Sequence, residues 1–124
     1  MVDYSLAWFK EVCEAEGLSY DNILVANELD RARGYAYEVK WWKNQARLAK
    51  RVPTDETKHW LYHEKTKLNA IREFEYQAEW HNQKRIECML DALDMAVVVK
   101  GFDPGFGEYL NQEYTKDGLT IPKF

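Results

Sequence analysis

Thr54 to Gly101 reads TDETKHWLYHEKTKLNAIREFEYQAEWHNQKRIECMLDALDMAVVVKG, and its spacing decides the fold class. Pro53-Thr54-Asp55-Glu56 is a helix-start pattern: the Thr54 hydroxyl can cap, and two acids follow in the positive first turn. No strong breaker intervenes before Lys100-Gly101-Phe102. Gly101 suits a left-handed position after a helix end, with Phe102 placed for the accompanying apolar contact. The stretch between these signals predicts a helix over 55–100, roughly 69 Å long at 1.5 Å per residue. Its apolar or small residues recur at spacings of three and four: Leu61, Leu68, Ile71, Ala78, Ile86, Met89, Leu93 and Ala96. Glu75 and Asn82 interrupt that stripe, which places a bend or break near 80–83.

Upstream, Ser19 or Asp21 caps a second expected helix over 20–51. Its stripe is Val25, Leu29, Ala32, Tyr35, Val39, Trp42, Ala46 and Ala49, with Gly34 marking close packing or a kink. Pro53 disfavours a helical residue before it and ends this helix by Arg51. A connection of two or three residues would fold the two helices into an antiparallel hairpin. Counted outward from that turn, Ala46 faces Leu61, Val39 faces Leu68, Tyr35 lies near Ile71 and Leu29 faces Ala78. Asp3 or Ser5 caps a first helix over 4–16, stopped by Gly17-Leu18. Leu6, Phe9, Val12 and Cys13 give it a short apolar stripe, suited to cover the apolar Ile86–Val99 segment.

The expected fold is therefore all-α: a long antiparallel helical hairpin with coiled-coil-like spacing and a short N-terminal helix. Together they make a three-helix bundle of unequal lengths over residues 1–102. Residues 103–124 read as an irregular, extended C-terminal tail. Within it Asp103-Pro104-Gly105 is a turn pattern, Glu108 to Tyr114 suits a short helix, and Asp117-Gly118 is a second turn.

At 124 residues and 46% hydrophobic content, one domain with its own core is expected. No apolar run approaches the ~20 residues needed to span a membrane. No basic region followed by an apolar core opens the chain, so no signal peptide is expected. Cys13 and Cys88 form no CxxC pair and read as two buried free thiols in a reducing compartment. The expected location is cytoplasmic.

The net charge of −4 is unevenly spread. Residues 39–72 hold nine bases and three acids, whereas the rest holds eight bases and eighteen acids. The basic stretch also holds Trp41, Trp42 and Trp60, and Trp41 and Trp60 do not fit the apolar stripes. Cations interleaved with outward aromatic rings suit single-stranded nucleic acid, because phosphates take the charge and bases stack on the rings. Lys40, Trp41, Lys43, Arg47, Lys50, Arg51, Lys58, Trp60 and Lys65 are the candidate binding residues, for nucleic acid or for a protein partner. Ile86, Met89, Leu90, Leu93 and Val97 are the candidate oligomer interface.

Catalytic patterns are thin. Glu56, His59 and His63 would share one helical face, but HExxH is missing and so is a second ExxH pair. His81 and Cys88 are two turns apart, about 10.5 Å of rise, too far for a nucleophile and its base. No GxGxxG or P-loop is present. The expectation is a non-catalytic protein without metal or cofactor. Its roles would be nucleic-acid binding with self-assembly or, alternatively, protein–protein interaction as an inhibitor or assembly subunit.

Over a short part of the chain, Cys88, Ala92-Leu93-Asp94 and Gly101-Phe102 resemble the C-terminal helix of tailed-phage recombination mediators. Those are small helical proteins that form rings and bind single-stranded DNA. The resemblance implies a phage-like origin and carries no residue roles.

Overall fold

The computed structural model describes residues 2–55 and 63–119. Among them are four helices and no strand: α1 (Leu6–Glu16), α2 (Ile23–Arg51), α3 (Glu64–Lys100) and α4 (Pro104–Lys116). Two compact units form, one from Met1–Arg33 with Arg85–Phe124, the other from Gly34–Lys84.

In the first unit, α1 begins and ends as its sequence dictates. Ser5 is the N-cap, its hydroxyl accepting the Trp8 amide at 3.1 Å. Gly17 is left-handed (φ 65°), and the Leu18 and Gly17 amides reach back to the Cys13 and Glu14 carbonyls at 2.7 and 3.4 Å. That paired arrangement is a Schellman motif, which a side chain at position 17 would strain. Two cations of α3 bind carbonyls at the two ends of α1. Arg85 donates to Tyr4 O at 2.7 Å and Asp3 O at 3.2 Å, and Lys100 donates to Glu16 O at 3.0 Å. Tyr4 turns its carbonyl toward Arg85 from a left-handed backbone (φ 53°). These contacts place α1 alongside the Arg85–Lys100 segment of α3. Phe9 and Cys13 are fully buried, in a core with Val25, Leu29, Met89, Ala92 and Ala96.

The start of α2 differs from expectation. Asn22, not Ser19 or Asp21, caps it: its side-chain oxygen accepts the Leu24 amide at 2.9 Å. The preceding amide, Ile23, donates to Oδ1 of Asn111 on α4 at 2.9 Å, and Asn111 Nδ2 returns a bond to Asp21 O at 3.2 Å. One carboxamide therefore ties α4 to the N-terminus of α2.

The tail expected to be irregular and extended is helical over Pro104–Lys116, which makes four described helices rather than three. Pro104 stands at the first helical position, where its fixed φ and missing N–H cost nothing. The turn pattern at Asp103-Pro104-Gly105 is the opening of this helix, with the Phe106 amide on Asp103 O at 2.9 Å. The expected short helix at 108–114 lies inside α4. Gly101 is not left-handed: the Gly101 and Phe102 amides bond Val98 O and Val99 O at 3.0 Å, closing α3 with a tight i→i+3 turn.

In the second unit α2 packs against α3. Val39, Ala46, Ile71 and Ala78 are buried, and Trp42 lies 5.9 Å from Phe74 between ring centroids. All eight α2 stripe residues are buried or half-buried over the whole helix, as their spacing predicts. Gly34 is exposed with nothing within 4 Å of where a Cβ would stand, so it neither enables close packing nor interrupts the helix. The register is not the expected one. Tyr35 meets Trp80, Trp42 meets Phe74, and Lys50 meets Glu75. Partners on α3 thus lie several residues further along than counting from a tight turn gave. Residues 53–55 are not helical and α3 is described only from Glu64, so the count began at the wrong residue. The remainder of the expected helix start, residues 56–62, falls outside the described residues. From Glu64 onward α3 is one helix with no break at 80–83.

Candidate functional site

The 34–84 unit holds ten basic and seven acidic residues, net +3, while the rest of the chain holds seven basic and fourteen acidic, net −7. Lys40, Lys43, Arg47, Lys50 and Arg51 are all exposed on α2, and Lys65 is exposed on α3. Lys58 and Trp60 lie outside the described residues, as do Glu56 and His59. Among the described residues no group of three or more His, Cys, Asp or Glu side chains could hold a metal ion.

Helical geometry spreads the α2 cations over two adjoining rows that share Arg47. Lys43, Arg47 and Lys50 line one wall of a groove of about 420 Å³. Its floor is Ala46 and Ala78, and its other wall is Glu75, Glu79 and Asn82 of α3. The floor is shallow because both floor residues stop at Cβ. Lys50 is already paired with Glu75 at 3.0 Å, both side chains being more than half exposed. Such an exposed pair is screened and adds little stability, but it offsets positive charge at the wall. Glu79 accepts from Gln83 at 2.9 Å.

Lys40, Asn44, Arg47 and Arg51 form the second, exposed row, one residue per turn, with Arg47 at the lip of the groove. Asn44 Oδ1 accepts two bonds from the Arg47 guanidinium, at 3.2 and 2.6 Å, which fixes the direction of the cation. Beside this row runs a stripe of exposed apolar side chains: Tyr37 (68% exposed), Trp41 (44%) and Leu48 (44%). Trp41 stands edge-on to Trp42 at 4.7 Å and 89°, and Trp42 is held between Phe74 and His81.

His81 sits among three aromatic rings: Trp80 at 4.8 Å, Trp42 at 6.1 Å and Tyr35 at 6.2 Å. Its Nδ1 is 2.7 Å from the Gln77 carbonyl. A carbonyl only accepts, so Nδ1 carries the proton there. The Trp42 indole Nε1 is buried with no hydrogen-bond partner among the described residues. From the sequence His81 reads as isolated; the correct register would have brought Tyr35 and Trp42 to it.

The expected oligomer interface is divided. Leu90 and Val97 are 41% and 56% exposed, Ile86 and Leu93 are half-buried beside them, and Met89 is 4% exposed in the chain's own core. Met89 is therefore an internal packing residue. A second apolar group, missed in the sequence, is the ladder Phe102–Phe106–Tyr109, with Phe106 and Tyr109 exposed, Phe102 half-buried, and centroids 4.9 and 6.4 Å apart. Cys13 and Cys88 are free and buried, and burial pushes both thiols above their ordinary pKa. No described helix is long and apolar enough to cross a membrane.

No protein-family model, curated protein or solved structure matches this chain.

Proposed function

We propose that this is a small non-catalytic binding protein whose α2 cations engage nucleic acid. α2 and α3 would act within residues 34–84 as the antiparallel arms of a hairpin. The observation that supports the reading best is the exposed cation row Lys40, Arg47 and Arg51 beside Tyr37 and Trp41 on a unit of net positive charge. The remainder of the chain is acidic, so a polyanion would be drawn to this unit and repelled elsewhere. Self-assembly would use Leu90 and Val97, flanked by Ile86 and Leu93, without Met89. Sedimentation of Leu90→Ser with Val97→Ser against wild type tests that part: identical masses would remove it.

The binding test is anisotropy of labelled oligonucleotides at two salt concentrations. Three phosphate contacts give a log–log salt slope of about −2 to −3. The triple variant Lys40→Glu, Arg47→Glu, Arg51→Glu should lose binding with its helicity intact. Undiminished binding by that variant, or no binding by wild type at low salt, defeats the reading.

A second reading is a protein-interaction role, favoured by the Phe102–Phe106–Tyr109 ladder. Rows of exposed aromatic rings are typical anchors of protein interfaces. Loss of partner capture by Phe106→Ala with Tyr109→Ala, in a protein that binds no oligonucleotide, would support it over the first.

A further inference from the structure

We infer that the bound form is single-stranded polynucleotide laid along the outer side of α2, with unpaired bases on Tyr37 and Trp41 and phosphates on Lys40, Arg47 and Arg51. This placement rests on the nucleic-acid reading above and makes it specific. The groove toward α3 is then not the site, although Lys43 and Lys50 line it together with Arg47, which the two sides share.

Three observations separate the two sides of the helix. The groove wall faces Glu75 and Glu79, and Lys50 is already paired with Glu75, so a phosphate entering there would meet two carboxylates at close range. In the outer row Arg47 is aimed by Asn44, whose Oδ1 accepts twice from its guanidinium. The outer side also offers exposed rings, whereas no ring lines the groove among the described residues. Trp41 is braced edge-on by Trp42, itself packed on Phe74, so its ring is held in place before any ligand arrives. Tyr37 stands one turn earlier, about 6 Å along the axis. A fixed ring costs less ordering on binding than a free one.

Base pairing decides the strand state. Stacking on an outward ring needs a free base face, and in a duplex those faces are taken by neighbouring pairs. A convex helix carrying rings therefore selects single strands, whereas cations alone would take both. A lipid surface is a poorer match. The apolar stripe is interrupted at Asn44 and Gln45, and a surface-bound helix needs a continuous apolar face to bury.

The experiment titrates the full chain with fluorescein-labelled (dT)15, (rU)15 and a hairpin duplex, following anisotropy and Trp emission together. Vesicles of mixed neutral and anionic phospholipid form the last arm. Wild type should bind both single strands at least about tenfold more tightly than duplex, with Trp quenching. Tyr37→Ala should weaken single-strand binding by about tenfold, and Trp41→Leu by as much again with loss of the quench. Lys43→Gln with Lys50→Gln should stay within about twofold to threefold, the loss of general charge alone. Tyr37 is the safer variant for folding, because it is mostly exposed.

Binding that is equal for single strand and duplex, unmoved by Tyr37→Ala, overturns this placement and leaves the general reading standing. Collapse of binding in the Lys43, Lys50 variant with Tyr37→Ala silent puts the ligand in the groove and likewise overturns only the placement. No oligonucleotide binding at low salt, with or without vesicle binding, overturns both. A preference between (dT)15 and (rU)15 assigns DNA or RNA.

Discussion

Asn111→Ala should destabilise the protein by about 2 kcal/mol, although Asn111 lies 88 residues from its hydrogen-bond donor, Ile23. Two bonds are lost. The first leaves the Ile23 amide without a partner at a helix start, where no carbonyl of its own helix can reach it. Ile23 is only 5% exposed, so water does not replace the lost acceptor fully, and an orphaned buried amide costs about 1–3 kcal/mol. The second bond, to the exposed Asp21 carbonyl, adds about 0.5 kcal/mol. For a chain of this size the sum corresponds to a fall in Tm of about 8 °C. Urea unfolding of wild type, Asn111→Ala, Asn111→Asp and Gln112→Ala measures it. The aspartate keeps an acceptor at the positive helix end and should recover more than half of the loss. Gln112 is exposed one residue away and should be silent. If Asn111→Ala costs less than about 0.5 kcal/mol, water satisfies Ile23 and the carboxamide is not what joins α4 to α2.

Other outcomes are equally direct. Gly34→Ala should raise stability by about 1 kcal/mol, since the site is exposed, helical and empty around the new methyl; differential scanning calorimetry showing a fall would mean the backbone there is not a plain helix. Gly17→Ala should cost about 1 kcal/mol or more, because its left-handed φ of 65° disfavours a Cβ; an unchanged Tm would contradict that conformation. Both thiols should resist a thiol-specific reagent in the native protein and react on unfolding, and fast native labelling of Cys13 would contradict its burial. Their raised pKa favours the protonated form in the folded state, so their contribution is full below the unfolded value of about 8.5 and falls as pH rises from there toward the folded value. Stability measured at pH 7.5 and pH 10 should show this decline, and its abolition in the Cys13→Ala, Cys88→Ala double variant identifies the source.

Local chemistry was legible in the sequence where one short stretch settles it. Ser5 and Gly17-Leu18 define α1 because cap and stop need only neighbours in the chain. The α2 stripe was legible because every member lies on one helix. Gly101-Phe102 repeats the Gly-apolar pattern of Gly17-Leu18 yet ends its helix with i→i+3 bonds and no left-handed residue, a difference the two dipeptides do not encode. Pro104-Gly105 misled for a related reason: a type I turn and the first turn of a helix share their opening backbone angles. Asn22 and Asn111 could not be paired from sequence at all. The candidate site was half legible. Outward cations and Trp41 followed from spacing on α2, but the acidic wall of Glu75 and Glu79 depends on register across helices, and that register was set from an unsuitable starting residue.

Arg85 and Lys100 hold the two ends of α1 from posts fixed 15 residues apart on a single helix, about 22 Å of rise. The distance between the posts cannot change without breaking α3, so α3 acts as a ruler for α1. One residue added or removed between Tyr4 and Glu16 would shift one end by about 1.5 Å and turn its carbonyls by about 100°, away from the waiting cation. A residue added between Gly17 and Asn22 would instead leave both posts and both ends of α1 in register.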